Sequence, residues 1–72
     1  MRTYLKDLRK KAGLNQTQVA KALGMVQTNY SAIESGKTKT MPTKIMKALS
    51  DLYKVRIDNI MQAEYMYSLH QQ

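Results

Sequence analysis

The chain has no cysteine, so neither a disulfide framework nor a cysteine-ligated zinc can hold it together. Its single histidine, His70, has no second ligand-type residue at metal spacing and is expected to be solvated, so no metal site or histidine base is expected. Among the five acids, Asp7, Asp51, Asp58 and Glu64 show no spacing suited to paired catalytic carboxylates. Ser31 and Ser35 have no histidine within plausible reach, and no glycine-rich phosphate loop is present. An enzyme, a cofactor and a small-molecule substrate are therefore not expected. No apolar run approaches the ~20 residues of a membrane helix. Met1-Arg2-Thr3 leads directly into a helical pattern, so a signal peptide is not expected. No membrane partner is expected, and the lack of cysteine fits a reducing cytosol.

The 72 residues suffice for one domain. A chain this short buries only about 60% of the surface its unfolded form exposes, which leaves a small stability margin and no room for a deep cavity. The core must come from helix packing or from a dimer. Twelve Lys and Arg against five acids give a net charge of +7. That balance favours nucleic acid or another acidic surface as partner. The cations are grouped: Arg2, Lys6, Arg9, Lys10, Lys11 and Lys21 stand against Asp7 alone over residues 1–21, and Lys37, Lys39, Lys44 and Lys47 stand without an acid over 37–47.

The periodicity predicts an all-α fold of five helices; the alternation a strand requires is missing. Leu5, Leu8 and Ala12 form the apolar stripe of the first helix, with Thr3 as N-cap and Gly13 as terminator. Asn15 and Gln18 make a variant capping box for a second helix over about 16–23. Gly24-Met25-Val26 is a turn, and a third helix runs from Gln27 to about Ser35, closed by Gly36. After the basic loop 37–40, Met41-Pro42 begins a fourth helix with Ile45, Ala48, Leu49, Leu52 and Tyr53 buried. Ile57, Ile60 and Met61 begin a fifth. The reading divides the chain into a domain over 1–61 and a segment over 62–72, either a helical extension or a frayed end. Tyr65, Met66 and Leu69 in that segment, with Val26, make a possible protein interface.

The stretch from Gln16 to Gly36 carries the functional signal. Val19, Ala20, Leu23, Met25, Tyr30 and Ile33 are spaced as in a helix-turn-helix, whose second helix presents its outer face to the DNA major groove. Ala20 is small where the second helix crosses it. Gly24 turns the chain through a positive φ. With Tyr30 and Ile33 facing inward, Thr28, Ser31, Ala32 and Ser35 face outward.

LKDLRKKAGLNQ (5–16), VAKALGM (19–25), YSAIESGKTK (30–39) and LSDLYKV (49–55) together resemble the Cro and lambda-repressor type of helix-turn-helix proteins, the Xre family. The resemblance covers about residues 3–61 and implies a compact five-helix domain that binds double-stranded DNA, usually as a homodimer, and controls transcription. It implies a phosphate contact from Gln16, base reading by Gln27, Thr28 and Ala32, and backbone contacts from Ser35, Lys37 and Lys39. It also implies an ion pair between Arg9 and Glu34. Ser31 joins the base-reading face and Asn29 the phosphate contacts. Gln27 has the donor and acceptor that adenine requires. The remainder of that face is small and uncharged, which gives backbone affinity with modest direct readout. Val26 departs from the family, which commonly carries Ser or Gly before the recognition helix. Its own burial would offset the missing cap, and Val26 is also a candidate for a contact surface.

Two functions follow. One is a regulator of the Cro kind in a phage-type switch, binding an operator as a dimer. The other is an antirepressor that binds a cognate phage repressor. In length and character the chain is also similar to the modulator-of-repression proteins of temperate lactococcal phages. Operator sequence and regulatory sign are not legible in the residues.

Overall fold

The computed structural model describes residues 1–70, and within them the chain forms five helices and no strand: α1 (Thr3–Lys11), α2 (Gln16–Leu23), α3 (Gln27–Ser35), α4 (Thr43–Tyr53) and α5 (Ile57–Leu69). α2 packs chiefly on α3 and α4 chiefly on α5, with further contacts of α2 on α4 and α1 on α3. One core joins them: Leu5, Val19, Ala20, Tyr30, Ile33, Met41, Leu49 and Ile60. Each short helix is marginal alone and is held by the apolar face it gives to this core.

The helix ends follow local chemistry where the chain supplies it. Asn15 accepts from the Gln18 N–H at 2.8 Å and Gln18 Oε1 accepts from the Asn15 N–H at 2.8 Å, a complete capping box. Gly24 (φ 71°) closes α2: its N–H donates to Lys21 O, and the Met25 N–H donates back to Ala20 O at 2.9 Å. This corner seats α3 across Ala20, which is 1% exposed.

Other ends differ from the sequence expectation. Thr3 is not the cap of α1. Arg2 holds the N-cap position, and no side chain caps the helix. The Arg2 N–H instead donates to Glu34 O at 2.8 Å, so a tertiary bond fixes where α1 begins. Leu5 is buried and Leu8 half-buried, but Ala12 is exposed, because α1 ends as it leaves the core. Pro42 stands at the N-cap of α4 in extended backbone, one residue before the helix proper, while Met41 joins the core. Lys54 closes α4 at φ 56°, a left-handed cap that glycine usually provides.

α5 runs without interruption through residue 61 and on to Leu69. Residues 62–69 are thus helical, and Glu64 within them is buried. Residues 71 and 72 of the tail lie outside the described residues.

Candidate nucleic-acid interface

Seating α3 on Tyr30 and Ile33 turns its opposite side outward. Gln27, Thr28, Ser31, Ala32, Ser35 and Lys37 line one shallow depression of about 260 Å³. Gln27, Thr28, Asn29, Ser35, Lys37 and Lys39 are exposed; Ser31 and Ala32 are half-buried. The structure thus brings the four base-reading candidates together with one of the two lysines. Lys39 lies further along the loop and lines a separate, smaller recess with Gly36, Tyr67 and Ser68. Neither Lys37 nor Lys39 makes an ion pair among the described residues.

Behind Gln27 stands a chain of polar bonds. Gln27 Nε2 donates to Gln16 Oε1 at 3.1 Å, and Gln16 Nε2 donates to Glu34 Oε1 at 3.1 Å. Arg9 closes the chain, with Nε donating to Glu34 Oε2 and Nη2 to Glu34 Oε1, both at 3.0 Å. Glu34 is 1% exposed. An ionised carboxylate only accepts, so Glu34 draws the amide nitrogen of Gln16 toward itself and turns its oxygen to Gln27. Gln27 is thereby held with Oε1 and its second N–H available. The half-buried Gln16, expected to touch a phosphate, bonds both neighbours within the molecule and keeps its second amide N–H.

The charge states agree with this geometry. Burial alone would raise the Glu34 carboxyl, but hydrogen bonds from Arg9 first, then Gln16 and Tyr30, outweigh it and hold the group below its ordinary value. The bond to Glu34 raises Arg9 against the opposing effect of burial. Tyr30 is pushed far up, first by burial and then by its hydroxyl contact with Tyr53, so it is a neutral core residue. The Ser35 hydroxyl donates to Ala32 O at 3.3 Å and accepts from the Lys37 N–H at 3.5 Å, which shapes the start of the loop.

Two readings of the surface need correction. Val26 at the N-cap of α3 makes no side-chain cap and is 60% exposed, so burial does not offset the missing cap. Its extended backbone already places it where a polar cap would serve. Arg2, read as part of the basic surface, is 0% exposed. All five of its guanidinium N–H donors are used: Nε and Nη2 on Glu64 (2.8 and 2.9 Å), Nη1 on Ile33 O and Thr38 O (2.6 and 2.7 Å), and Nη2 again on Lys39 O (2.9 Å). The Tyr67 ring covers the guanidinium, its centroid 4.7 Å away. Tyr4 Oη donates to Glu64 Oε1 at 2.6 Å. Burial works to lower Arg2, but the hydrogen bonds and charge of Glu64 prevail and raise it. This cluster escaped the sequence reading. Little in the sequence pointed to it: Glu64 has no cation three or four positions away on its own helix, and its partner lies 62 positions off.

A larger recess of about 400 Å³ lies between α1 and α5, lined by Tyr4, Leu8, Val55, Ile60 and Ala63 with Asp7, Lys11 and Asn59 at its edge. Among the described residues no cluster of His, Asp and Glu could hold a metal ion, and no helix is long and apolar enough to cross a membrane.

Comparison with known proteins agrees with the geometry. The Helix-turn-helix family matches residues 5–60, the span from Leu5 in α1 to Ile60 in α5. The "ImmF control region 10 kDa protein" of Bacillus phage phi105 is similar, at 39% identity over 64 residues covering 83% of this chain and 71% of that protein. No solved structure matches the chain. With α2 and α3 set at the Gly24 corner and an outward polar face on α3, the chain belongs to the Helix-turn-helix family, of the Xre and Cro type, whose members bind DNA and regulate transcription.

Proposed function

We propose that this protein is a small regulator of a phage-type genetic switch, and that it binds operator DNA by laying α3 in the major groove. The observation that carries this reading is Gln27, exposed at the start of α3 and backed by the Gln16–Glu34–Arg9 chain of bonds. Its free amide atoms match the N6 and N7 edge of adenine. Thr28 offers a methyl or hydroxyl to the next base, and Ser31 and Ala32 let the groove floor approach closely. To the backbone phosphates we assign the exposed Asn29, Ser35 and Lys37, with Lys39 further along the loop. Similarity to a phage protein named for a control region supports the switch context. Two copies would bind a near-palindromic site with their α3 helices ~34 Å apart.

A gel-shift series with the intergenic DNA of the protein's own locus tests this. A specific shift that weakens steeply with salt is expected. Absence of a shift at low salt, or affinity indifferent to salt, overturns it.

The exposed apolar side chains favour a second reading. Met61, Tyr65 and Leu69 recur every four residues on α5, Met66 lies beside them, and Tyr65 is 61% exposed. They fit a protein contact, as does the separate exposed Val26, with either a second copy or a cognate repressor that this chain would antagonise. Co-elution of the purified protein with the repressor of its own locus is the expected result for the antirepressor role, and separate elution counts against it. Both activities are compatible in one bistable circuit.

A further inference from the structure

We propose that Arg2 is a positioning residue for DNA backbone contact: paired with Glu64 of α5, it fixes the loop that carries Lys37 and Lys39. The proposal rests on the DNA-binding reading above and adds to it a part for the first residues and for α5.

The loop after α3 has little structure of its own. Its internal hydrogen bonds are those from the Lys37 N–H to Ser35 Oγ at 3.5 Å and from the Thr38 N–H to Ala32 O at 3.1 Å. The carbonyls of Thr38 and Lys39 are held instead by Arg2, at 2.7 and 2.9 Å. The same guanidinium binds Ile33 O within α3, so loop and recognition helix share one anchor. Arg2 can occupy this fully buried position only because Glu64 balances its charge through two bonds and Tyr67 covers it. Glu64 is in turn steadied by Tyr4.

A lysine on a tethered loop meets a phosphate without first losing the loop's freedom. Released from Arg2, the same lysine would have to order its backbone on each encounter, and its contact would weaken. Loss of the Arg2–Glu64 pair should therefore resemble loss of Lys37 and Lys39, although neither Arg2 nor Glu64 reaches the DNA.

The test is fluorescence anisotropy on a labelled mixed-sequence duplex of about two helical turns. It is run across a salt series at a temperature where circular dichroism shows each variant folded. Each phosphate contact contributes about 0.9 to the slope of log affinity against log salt. Glu64→Gln is expected to weaken binding about tenfold and to lower that slope by between about 1 and 2, the share of two lysines. A protein already carrying Lys37→Ala and Lys39→Ala should respond to Glu64→Gln with less than a twofold change. A purely structural role for the pair would give equal losses in both backgrounds. An unchanged slope in folded Glu64→Gln, or an additive loss, overturns the proposal. Should Glu64→Gln not fold, Tyr4→Phe replaces it, since it removes one bond to Glu64 and leaves the ion pair. A smaller decrease in slope is then expected, and an unchanged slope again overturns the idea. If the unaltered protein fails to bind the duplex at low salt, the DNA reading itself falls and takes this proposal with it. Binding by the unaltered protein with no effect of the Glu64 or Tyr4 change defeats the proposal alone.

Discussion

Arg9 and Glu34, 25 positions apart, meet through two parallel hydrogen bonds of 3.0 Å and join α1 to the end of α3. The pair lies under the outward face of the recognition helix and is tied to it through Gln16. Its replacement tests how far a buried ion pair governs an exposed reading surface. Arg9→Ala leaves the Glu34 carboxylate buried without its cation and should destabilise the domain by about 3–5 kcal/mol. Chemical denaturation with urea measures this.

Acid should act on the same group. Glu34 titrates below its ordinary value near 4.5 in the folded protein, so the folded state favours the ionised form. That contribution is complete above 4.5 and is lost as pH falls through the lower folded-state value. The thermal midpoint should therefore decline as pH drops below 4.5, and Glu34→Gln should flatten this part of the profile. Calorimetry at stepped pH reads both curves.

Gly24 and Gly36 should separate backbone strain from steric conflict. Both have positive φ, at 71° and 94°. A Cβ at Gly24 meets nothing within 4 Å, so Gly24→Ala should cost about 1–2 kcal/mol from its left-handed backbone alone. At Gly36 a Cβ would stand 2.5 Å from Tyr67 Oη. Gly36→Ala should cost more than Gly24→Ala in the same denaturation assay, because the aromatic cover of Arg2 must also shift.

Val26→Ser should stabilise the protein. The backbone at Val26 (φ −77°, ψ 152°) is already that of an N-cap, and the valine side chain supplies no bond there. A serine hydroxyl accepting from the first turn of α3 should add about 0.5–2 kcal/mol. A lower thermal midpoint for this variant would contradict the account of the helix start.

At the DNA, Gln27 and Lys39 should fail differently. Gln27→Ala is expected to erase about 1–3 kcal/mol of discrimination between the operator and its adenine-substituted versions while leaving salt-dependent affinity. Lys39→Ala should weaken all sequences alike and reduce the salt slope by about 1. Competition gel shifts with matched and altered duplexes distinguish the two.

Much of the fold was legible because its signals are local. Asn15 and Gln18 announce the start of α2 within four residues, and Gly24 and Gly36 mark stops whose positive φ glycine adopts at little cost. The inward face of α3 follows from the three-residue spacing of Tyr30 and Ile33. Features set by distant partners were not legible. Thr3 is an acceptable cap by type, yet the chain enters α1 where Arg2 is bound, and that position is fixed by Glu34, Thr38 and Glu64. Within the candidate interface, the outward side of α3 could be read from periodicity, whereas the bond that Gln27 donates to Gln16 depends on how α2 and α3 cross.

The separation of Arg2 from Glu64 by 62 positions has a consequence for biosynthesis. The guanidinium leaves the ribosome well ahead of the carboxylate that neutralises it, which follows only after α1 to α4 have been made. Until then the nascent chain carries a cation that has no place in a closed interior, so completion of the domain awaits the arrival of α5. Such a long-range closure slows folding relative to the local helix contacts that precede it.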